Sequence, residues 1–411
     1  MKRKSYARSS YGIFLTLLVM FMVLNGLGLT GWTALDDAYE AGSLLKLHHL
    51  MFLLVAGLSV RSLPLVSLSV PFVLFVLVGL TTTLLAFLVF PFNLQALNFV
   101  YCIALTIVFN VAAHVVPYED MLRIFRAAFL WAACAVVLKN LFLYKQVMLL
   151  VESGGRFWVD TLVAGGVNQE GSILALGSAL FMGHRSFVPV WGGAMLLNIV
   201  YSSRGGVLIC AIILGVWLFR YQARHTTRRL FQLVLLVCLA AGVMTFFHDH
   251  PLVEKAVSRF AAIGTDRGSE ERQILWAGAV EALGDNLVGY GVMNAARVSC
   301  EYTGLQTAVN NLHNIYLQIM VDLGLQGFVM FLWLVMSVFA ATIRQGGANV
   351  FGVFLCVYYL MGLLRFRAYD PLVFAVLGVF QVYAAVTVTA WLRSLSRSSK
   401  TSLDSYGQQL T

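Results

Sequence analysis

The sequence has little charge and few prolines. Of its 411 residues, 11% are charged and seven are proline, whereas 60% are hydrophobic, and the mean hydropathy is +0.82. Soluble domains carry roughly 25% charged residues, so this chain lacks the polar surface that a water-soluble protein needs. Its long apolar runs do not alternate as the strands of a β-barrel would. The composition therefore predicts an all-α membrane protein.

Cysteine is also scarce, and no module typical of nucleic-acid binding is present. Five of the six cysteines lie inside apolar runs, and Cys300, in a long polar stretch, has no obvious partner there. We therefore expect no disulfide. The net charge of +9 points instead to membrane topology, and after that to an anionic lipid or a diphosphate substrate.

The apolar runs predict about twelve transmembrane helices in a single integral-membrane domain over residues 1–411. Lys and Arg accumulate on cytoplasmic loops. With the N-terminus inside, every short loop assigned to the inside carries at least one Arg, and both termini are cytoplasmic. The predicted spans are 12–33, 48–63, 67–90, 95–116, 122–143, 169–184, 187–202, 205–222, 229–247, 314–343, 350–368 and 371–392.

The longest polar stretch, 248–313, is then an outer loop, and we expect it to contain short helices. Ser269, followed by two acids, suits a helix N-terminus, and residues at helical spacing follow it. Gly284-Asp285-Asn286 ends this predicted helix, and Gly289-Tyr290-Gly291 is typical of a flexible turn.

Several arginines lie on the outer side, where the positive-inside bias disfavours them. Guanidinium groups bind phosphate oxygens bidentately and stay charged, so a cluster of them facing a membrane-embedded cavity would suit a diphosphate. The alternative, for Arg156, Arg297 and Arg367, is a side chain that reaches solvent or pairs with an acid. Arg204 favours function, because Gly205-Gly206 follows it and little outer loop surrounds it. The other outer arginines are Arg259, Arg267, Arg272 and Arg365.

His313 lies where the long loop meets the tenth predicted span. An imidazole can act as a base near neutral pH; the alternative is an interfacial histidine hydrogen-bonded to a carbonyl. The sequence has no serine nucleophile elbow, glycine-rich phosphate loop or convincing acidic metal cage. We therefore expect neither a metal ion nor another cofactor.

Taken together, these features resemble the O-antigen ligases, within the wider O-antigen ligase and polymerase superfamily. Arg204 is followed by Leu208 in an Arg-x3-Leu element, and His313 by Gly324 in a His-x10-Gly element. The loop stretch that begins at Arg272 resembles the family's loop helix and its glycine turn. The resemblance covers nearly the whole chain, but it distinguishes ligase from polymerase less well.

The resemblance implies an inverting, metal-independent glycosyltransferase of the bacterial inner membrane, active in lipopolysaccharide maturation. It would move O-antigen from undecaprenyl diphosphate to lipid A–core on the periplasmic side, where the long loop also lies. His313 matches the family's loop histidine, and Arg204 and Arg272 match its essential arginines. If the loop aligns differently with the family, Arg267 or Arg259 takes the place of Arg272. With Arg365, these arginines make up the expected diphosphate site.

Three other functions remain open at this point. An O-antigen polymerase would use the same donor but extend a second undecaprenyl-linked glycan, and a protein O-oligosaccharyltransferase would glycosylate a protein acceptor. A transporter or flippase would place ionisable residues within its spans and show two related halves. Here the charges gather at the outer ends of the spans, and the sequence shows no clear symmetry between two halves.

Overall fold

The chain folds as a helical bundle with a smaller helical module at one end. The computed structural model describes residues 9–27, 46–89, 96–153, 159–163, 165–221, 267–305, 311–347 and 349–385, and within these ranges it contains no strand. The helices are α1 Ser10–Val23, α2 Leu47–Ser59, α3 Val70–Ala86, α4 Leu97–Val115, α5 Tyr118–Phe142, α6 Tyr144–Glu152, α7 Gly166–Gly177, α8 Phe187–Val200, α9 Arg204–Tyr221, α10 Arg267–Asp285, α11 Ala295–Thr303, α12 Ile315–Arg344, α13 Val350–Met361 and α14 Pro371–Ala385.

The apolar helices agree with the predicted spans. Among the described residues, α4, α5, α12 and the segment Leu47–Leu65, in which a 3-10 turn extends α2, are long and apolar enough to cross a membrane. Shorter apolar helices are α1, α3, α8, α13 and α14. Each predicted span within the described ranges coincides with a helix, and the predicted span 229–247 lies outside them. The all-helical membrane fold is thus confirmed, whereas the number of crossings stays a prediction.

Contacts between helix ends define two ends of the bundle. At one end, Arg220 of α9 donates to the carbonyl of Gly346 after α12, and Arg126 near the start of α5 donates to the carbonyl of Leu180 after α7. At the other end lie the starts of α7, α9 and α12 and the segment after α13. The predicted topology assigns Arg126 and Arg220 to the cytoplasmic side. Both lie at the same end of the bundle, so the helix directions agree with the predicted alternation of inside and outside loops.

Three helices pack closely around Asn198, which is fully buried in α8. Its side-chain amide donates to the carbonyls of Gly171 in α7 and Ala194 in α8, at 2.9 and 2.8 Å. A Cβ atom at Gly206 of α9 would lie 1.6 Å from Asn198 Oδ1, and one at Gly171 would lie 2.3 Å from it. Small residues allow membrane helices to approach this closely, and here they fix the start of α9 against α7.

The helices α10 and α11, with the turn between them, form what we call the loop module. They enclose a small apolar core that contains Leu275, Ala279, Tyr290 and Val298. Helix α10 confirms the helix predicted within the long loop, but Ser269 already lies inside it. The prediction of Ser269 as the cap is therefore wrong, because the two residues before it already have helical backbone.

The loop module attaches to a break in α12. Gly324 interrupts this helix with φ 69°, and a Cβ atom there would lie 2.3 Å from the carbonyl oxygens of residues 287 and 288. The amides of Tyr290 and Gly291 donate to the carbonyls of residues 321 and 322. The buried Asp322 carboxylate accepts from the first amides of α11, those of residues 294 and 295. The glycine of the His-x10-Gly element thus marks the site at which the module docks.

Replacement of Gly206 by alanine should destabilise the protein. The new methyl group would overlap Asn198 Oδ1, and the two hydrogen bonds of Asn198 prevent it from moving aside. Overpacking of this kind costs about 1–3 kcal/mol or more. The measurement is the thermal unfolding midpoint in detergent.

The matched control is Gly215→Ala on the same helix, where a Cβ atom meets nothing within 4 Å. This change should leave the midpoint unchanged or raise it slightly, since alanine favours a helix over glycine by roughly 0.5–1 kcal/mol. Equal midpoints for the two variants would contradict the packing described for α7, α8 and α9.

Candidate functional site

Four of the side chains that the sequence singled out come together at one end of the bundle. Arg204 begins α9, Arg272 lies in α10, His313 precedes α12, and Arg365 lies between α13 and α14. The charges of Arg204 and Arg272 both act on Arg365, and those of Arg272 and Arg365 both act on His313. Segments far apart in the sequence therefore meet in one cationic cluster around His313.

Arg365 is the most constrained member of this cluster. Its Nε donates to Ser172 Oγ of α7 at 2.9 Å, and a Cβ atom at Gly205 of α9 would lie 2.5 Å from its Cδ. Arg365 is buried, and the positive charges of Arg272 and Arg204 act on it. A guanidinium destabilised in this way gains when an anion approaches and offsets the repulsion.

His313 has a strained backbone and a neutral ring. Its φ of 52° is unusual for a residue with a side chain, and its amide donates to Asn311 Oδ1 at 3.0 Å. Its Nδ1 lies 3.4 Å from the carbonyl oxygen of Arg365. Burial first, and then the charges of Arg272 and Arg365, lower the pKa of His313 to about 3. Because a carbonyl oxygen can only accept, this long contact favours the proton on Nδ1 and leaves Nε2 as the basic nitrogen.

The backbone around His313 is tied to both sides of the cluster. Trp276, one turn after Arg272 on α10, donates its indole N–H to the carbonyl of Leu312 at 2.8 Å. The amide of Ile315 donates to the carbonyl of Gly362 at the end of α13, at 2.7 Å. His313 is thus held between the helix that carries Arg272 and the segment that carries Arg365.

Two further cations extend the cluster beyond Arg365. A terminal nitrogen of Arg367 lies 3.6 Å from where a Cβ atom of Gly165 would be, just before α7. The charge of Arg367 also acts on His313. Burial, followed by the charge of Arg367, lowers the pKa of Lys46, at the start of α2, to about 8. The cluster therefore reaches from α10 across the bundle end to α2.

Other predicted site residues lie elsewhere or outside the described ranges. Arg259 and Arg156 fall in segments that the structure does not describe, and of Arg267 only the backbone, at the start of α10, is described. Arg297 pairs with Glu301 one turn away at 3.2 Å on an exposed face of α11. This contact confirms the structural alternative for Arg297.

Sequence reasoning missed Ser172 and Lys46, and it also missed a buried ion pair between Lys139 and Glu170 near the start of α7. One signal was available. Gln169 and Glu170 lie at the start of an otherwise apolar predicted span, directly after Asn168. Ionisable residues inside spans are expensive and commonly functional. Lys46 gave no such signal, because a lysine just before an apolar run is ordinary.

Part of the chain matches a known protein family. Residues 191–332 match the family model described as O-Antigen ligase. This range contains Arg204, Arg272, His313 and Gly324, whereas Arg365 lies beyond it. A search of curated proteins finds no match to the chain. The resemblance that the sequence suggested is confirmed over these residues.

Replacement of Gly205 by alanine should weaken anion binding without unfolding the protein. The added methyl group would displace the Arg365 side chain, whose aliphatic stem can move more readily than a packed backbone. Wild-type protein should be stabilised against heat by inorganic pyrophosphate, since a ligand that binds only the folded state raises its stability. Gly205→Ala should lose most of this stabilisation.

Gly215→Ala again supplies the control, because it adds the same methyl group to an open site on α9. Its response to pyrophosphate should equal that of the wild type. An undiminished response in Gly205→Ala would show that the position of Arg365 does not govern anion binding.

Proposed function

We propose that the protein transfers O-antigen from undecaprenyl diphosphate to lipid A–core, and the match of residues 191–332 to the O-antigen ligase family model supports this. The reaction takes place at the end of the bundle that carries the cationic cluster, on the periplasmic side of the inner membrane. The bundle of apolar helices provides the membrane context in which both lipid-anchored substrates reach the site.

The observation that carries this proposal is the crowding of Arg204 and Arg272 around Arg365. The charges of both residues act on this buried guanidinium, so an anion placed among the three relieves their mutual repulsion. A diphosphate fits this need, because guanidinium groups bind its oxygens in a bidentate fashion. An arginine that is merely solvated would not be held against two others.

The chemistry follows from where negative charge develops. As the bond between the anomeric carbon of the glycan and the diphosphate oxygen breaks, the electron pair moves onto undecaprenyl diphosphate. Fixed cations at that oxygen stabilise the transition state more than the ground state. Arg204, Arg272 and Arg365 take this role.

His313 acts on the acceptor. Its ring is neutral, and the contact of Nδ1 with the carbonyl of Arg365 leaves Nε2 to accept the proton of an acceptor hydroxyl. The deprotonated oxygen attacks the anomeric carbon from the face opposite the diphosphate, and the configuration inverts. The leaving group and the base thus share one set of arginines, which stabilise the first and keep the second unprotonated.

The test is transfer by purified protein from a lipid-linked O-antigen donor to lipid A–core. Arg204→Ala and Arg365→Ala should each lower kcat by about 10²–10³, the usual effect of removing one donor that stabilises a developing anion. Arg297→Ala should retain wild-type activity, because Arg297 pairs with Glu301 on an exposed face.

Two outcomes would contradict the proposal. A wild-type protein that lengthens the undecaprenyl-linked glycan but leaves lipid A–core unmodified would be a polymerase. Full activity in both arginine variants would show that the cluster does not hold the leaving group.

The pH dependence of transfer should reflect the low pKa of His313. In the free protein this pKa is about 3, so His313 stays unprotonated as the pH falls through the ordinary range near 6.5. The acid limb of kcat/KM should therefore lie well below pH 6.5. In the complex, the diphosphate offsets the charges of Arg272 and Arg365 and raises this pKa, so the acid limb of kcat should lie at higher pH.

The measurement is the pair of profiles for kcat and kcat/KM between about pH 4 and 8, with the stability of the protein checked at each pH. An acid limb of kcat/KM near pH 6.5 would mean that His313 titrates as a solvent-exposed histidine and would remove it as the neutral base.

A further inference from the structure

A buried polar network lies beside the cationic cluster and contributes no residue to it. Lys139 of α5 and Glu170 of α7 form an ion pair with 2.7 Å between Nζ and Oε1, and their side chains are 7% and 0% exposed. The same ammonium group donates to the carbonyl of Asp160 at 3.0 Å and to the hydroxyl of Tyr201 at 3.2 Å. All three of its protons therefore have an acceptor.

The remaining partners complete the network. Tyr201, the residue that ends α8, donates its hydroxyl hydrogen to Glu170 Oε1 and accepts from Asn140 Nδ2 at 2.7 Å. The amide of Leu162 donates to Glu170 Oε2 at 2.8 Å. Four separate parts of the chain are thereby joined: α5, the segment 159–163, α7 and the end of α8.

Stability alone does not account for this arrangement. Removing two ions from water is expensive, and well-packed apolar residues in place of a buried ion pair are often neutral or stabilising. A network in which every polar group is satisfied instead fixes relative positions strongly, because any shift leaves a buried group unpaired.

Two short connections lead from the network to the cluster. Tyr201 is followed by Ser202, which has a φ of 49°, and by Ser203, whose hydroxyl accepts from the amide of Gly206 in the first turn of α9. Arg204 comes directly after these residues. On α7, Ser172 lies two residues after Glu170 and binds Arg365 Nε at 2.9 Å.

We infer that Lys139, Glu170 and Tyr201 are positioning residues, which hold Arg204 and Arg365 at the separation that a single diphosphate requires. This inference rests on the proposed function. None of the three needs to touch the substrate. The end of α8 fixes the backbone position from which the Arg204 side chain extends, and α7 fixes the Ser172 hydroxyl that orients Arg365.

Loss of positioning has a signature that differs from loss of folding. Charge on the diphosphate is complete only after the glycosidic bond breaks, so misplaced arginines should affect the leaving group more than the donor. The affinity for undecaprenyl diphosphate and kcat should fall together, while the KM for the donor changes little. A merely unstable protein would instead lose active molecules without a change in affinity.

The experiment uses full-length Tyr201→Phe. The ring stays packed against Leu150 and Val159, and only the hydroxyl that joins Glu170, Lys139 and Asn140 is lost. We expect kcat to fall about tenfold and the Kd of undecaprenyl diphosphate to rise about tenfold, the size of effect that one hydrogen bond to a charged group supports. The donor KM should stay within about twofold.

The matched control is Tyr383→Phe, which removes a hydroxyl that donates to the carbonyl of Val116 at the opposite end of the bundle. It should lower the thermal midpoint to a similar extent and leave kcat and Kd unchanged. Glu170→Gln, which keeps the shape and an acceptor, is the second variant, and its affinity is measured on the monodisperse fraction. It should lose affinity in the same direction.

The outcomes separate this inference from the proposed function. Two results would overturn the positioning role and leave transfer by the wild type unaffected. One is unchanged kcat and Kd in Tyr201→Phe and Glu170→Gln. The other is an equal loss of kcat and affinity in Tyr383→Phe for an equal drop in thermal midpoint. If the wild type bound undecaprenyl diphosphate but did not glycosylate lipid A–core, the proposed acceptor would be wrong. A tenfold affinity loss in Tyr201→Phe would then still support the positioning role.

Discussion

The repulsion between guanidinium groups around Arg365 is the constraint to which the rest of this structure responds. Like charges in a partly buried environment separate unless something holds them. Here Ser172 holds the Arg365 side chain by a hydrogen bond, and Gly205 leaves room for it. The start of α9 brings Arg204 towards it, and α10 brings Arg272. Folding therefore brings like charges together at a cost in electrostatic free energy, and a bound anion offsets part of that cost. This is the energetic meaning of a preorganised anion site.

Arg272 needs support of a different kind, because it comes from a module outside the main bundle. The module is attached at the break of α12 through Gly324, where only a glycine fits, and through the Asp322 carboxylate that caps α11. The indole of Trp276 then ties α10 to Leu312. The left-handed backbone of His313 lies next to this contact, and strain of this sort persists only where neighbouring contacts impose it.

The sequence was sufficient to predict those features that depend on a local pattern of residues. Hydrophobic length predicted the helices, and the charge bias across a membrane singled out Arg204. His313 was selected by its place at the junction of loop and span and by its match to the family's loop histidine. The sequence placed Arg365 in the expected site and gave Arg297 a structural alternative, but it specified the contacts of neither, since both are arginines on the predicted outer side. One of them lies a turn from Glu301, and the other is carried to the centre of the cluster by helix packing. That packing depends on contacts among α7, α8 and α9 that no local pattern encodes.

In the positioning role that we infer, the buried ion pair makes the site more rigid without adding net charge to it. An isolated acid close to the cluster would pair with an arginine and compete with the phosphate. Glu170 is prevented from doing so, because Lys139 and Tyr201 occupy one carboxylate oxygen and the amide of Leu162 occupies the other. With its lysine the group adds no net charge to the cluster. Rigidity and positive potential, which ordinarily oppose each other, are in this way supplied by separate residues.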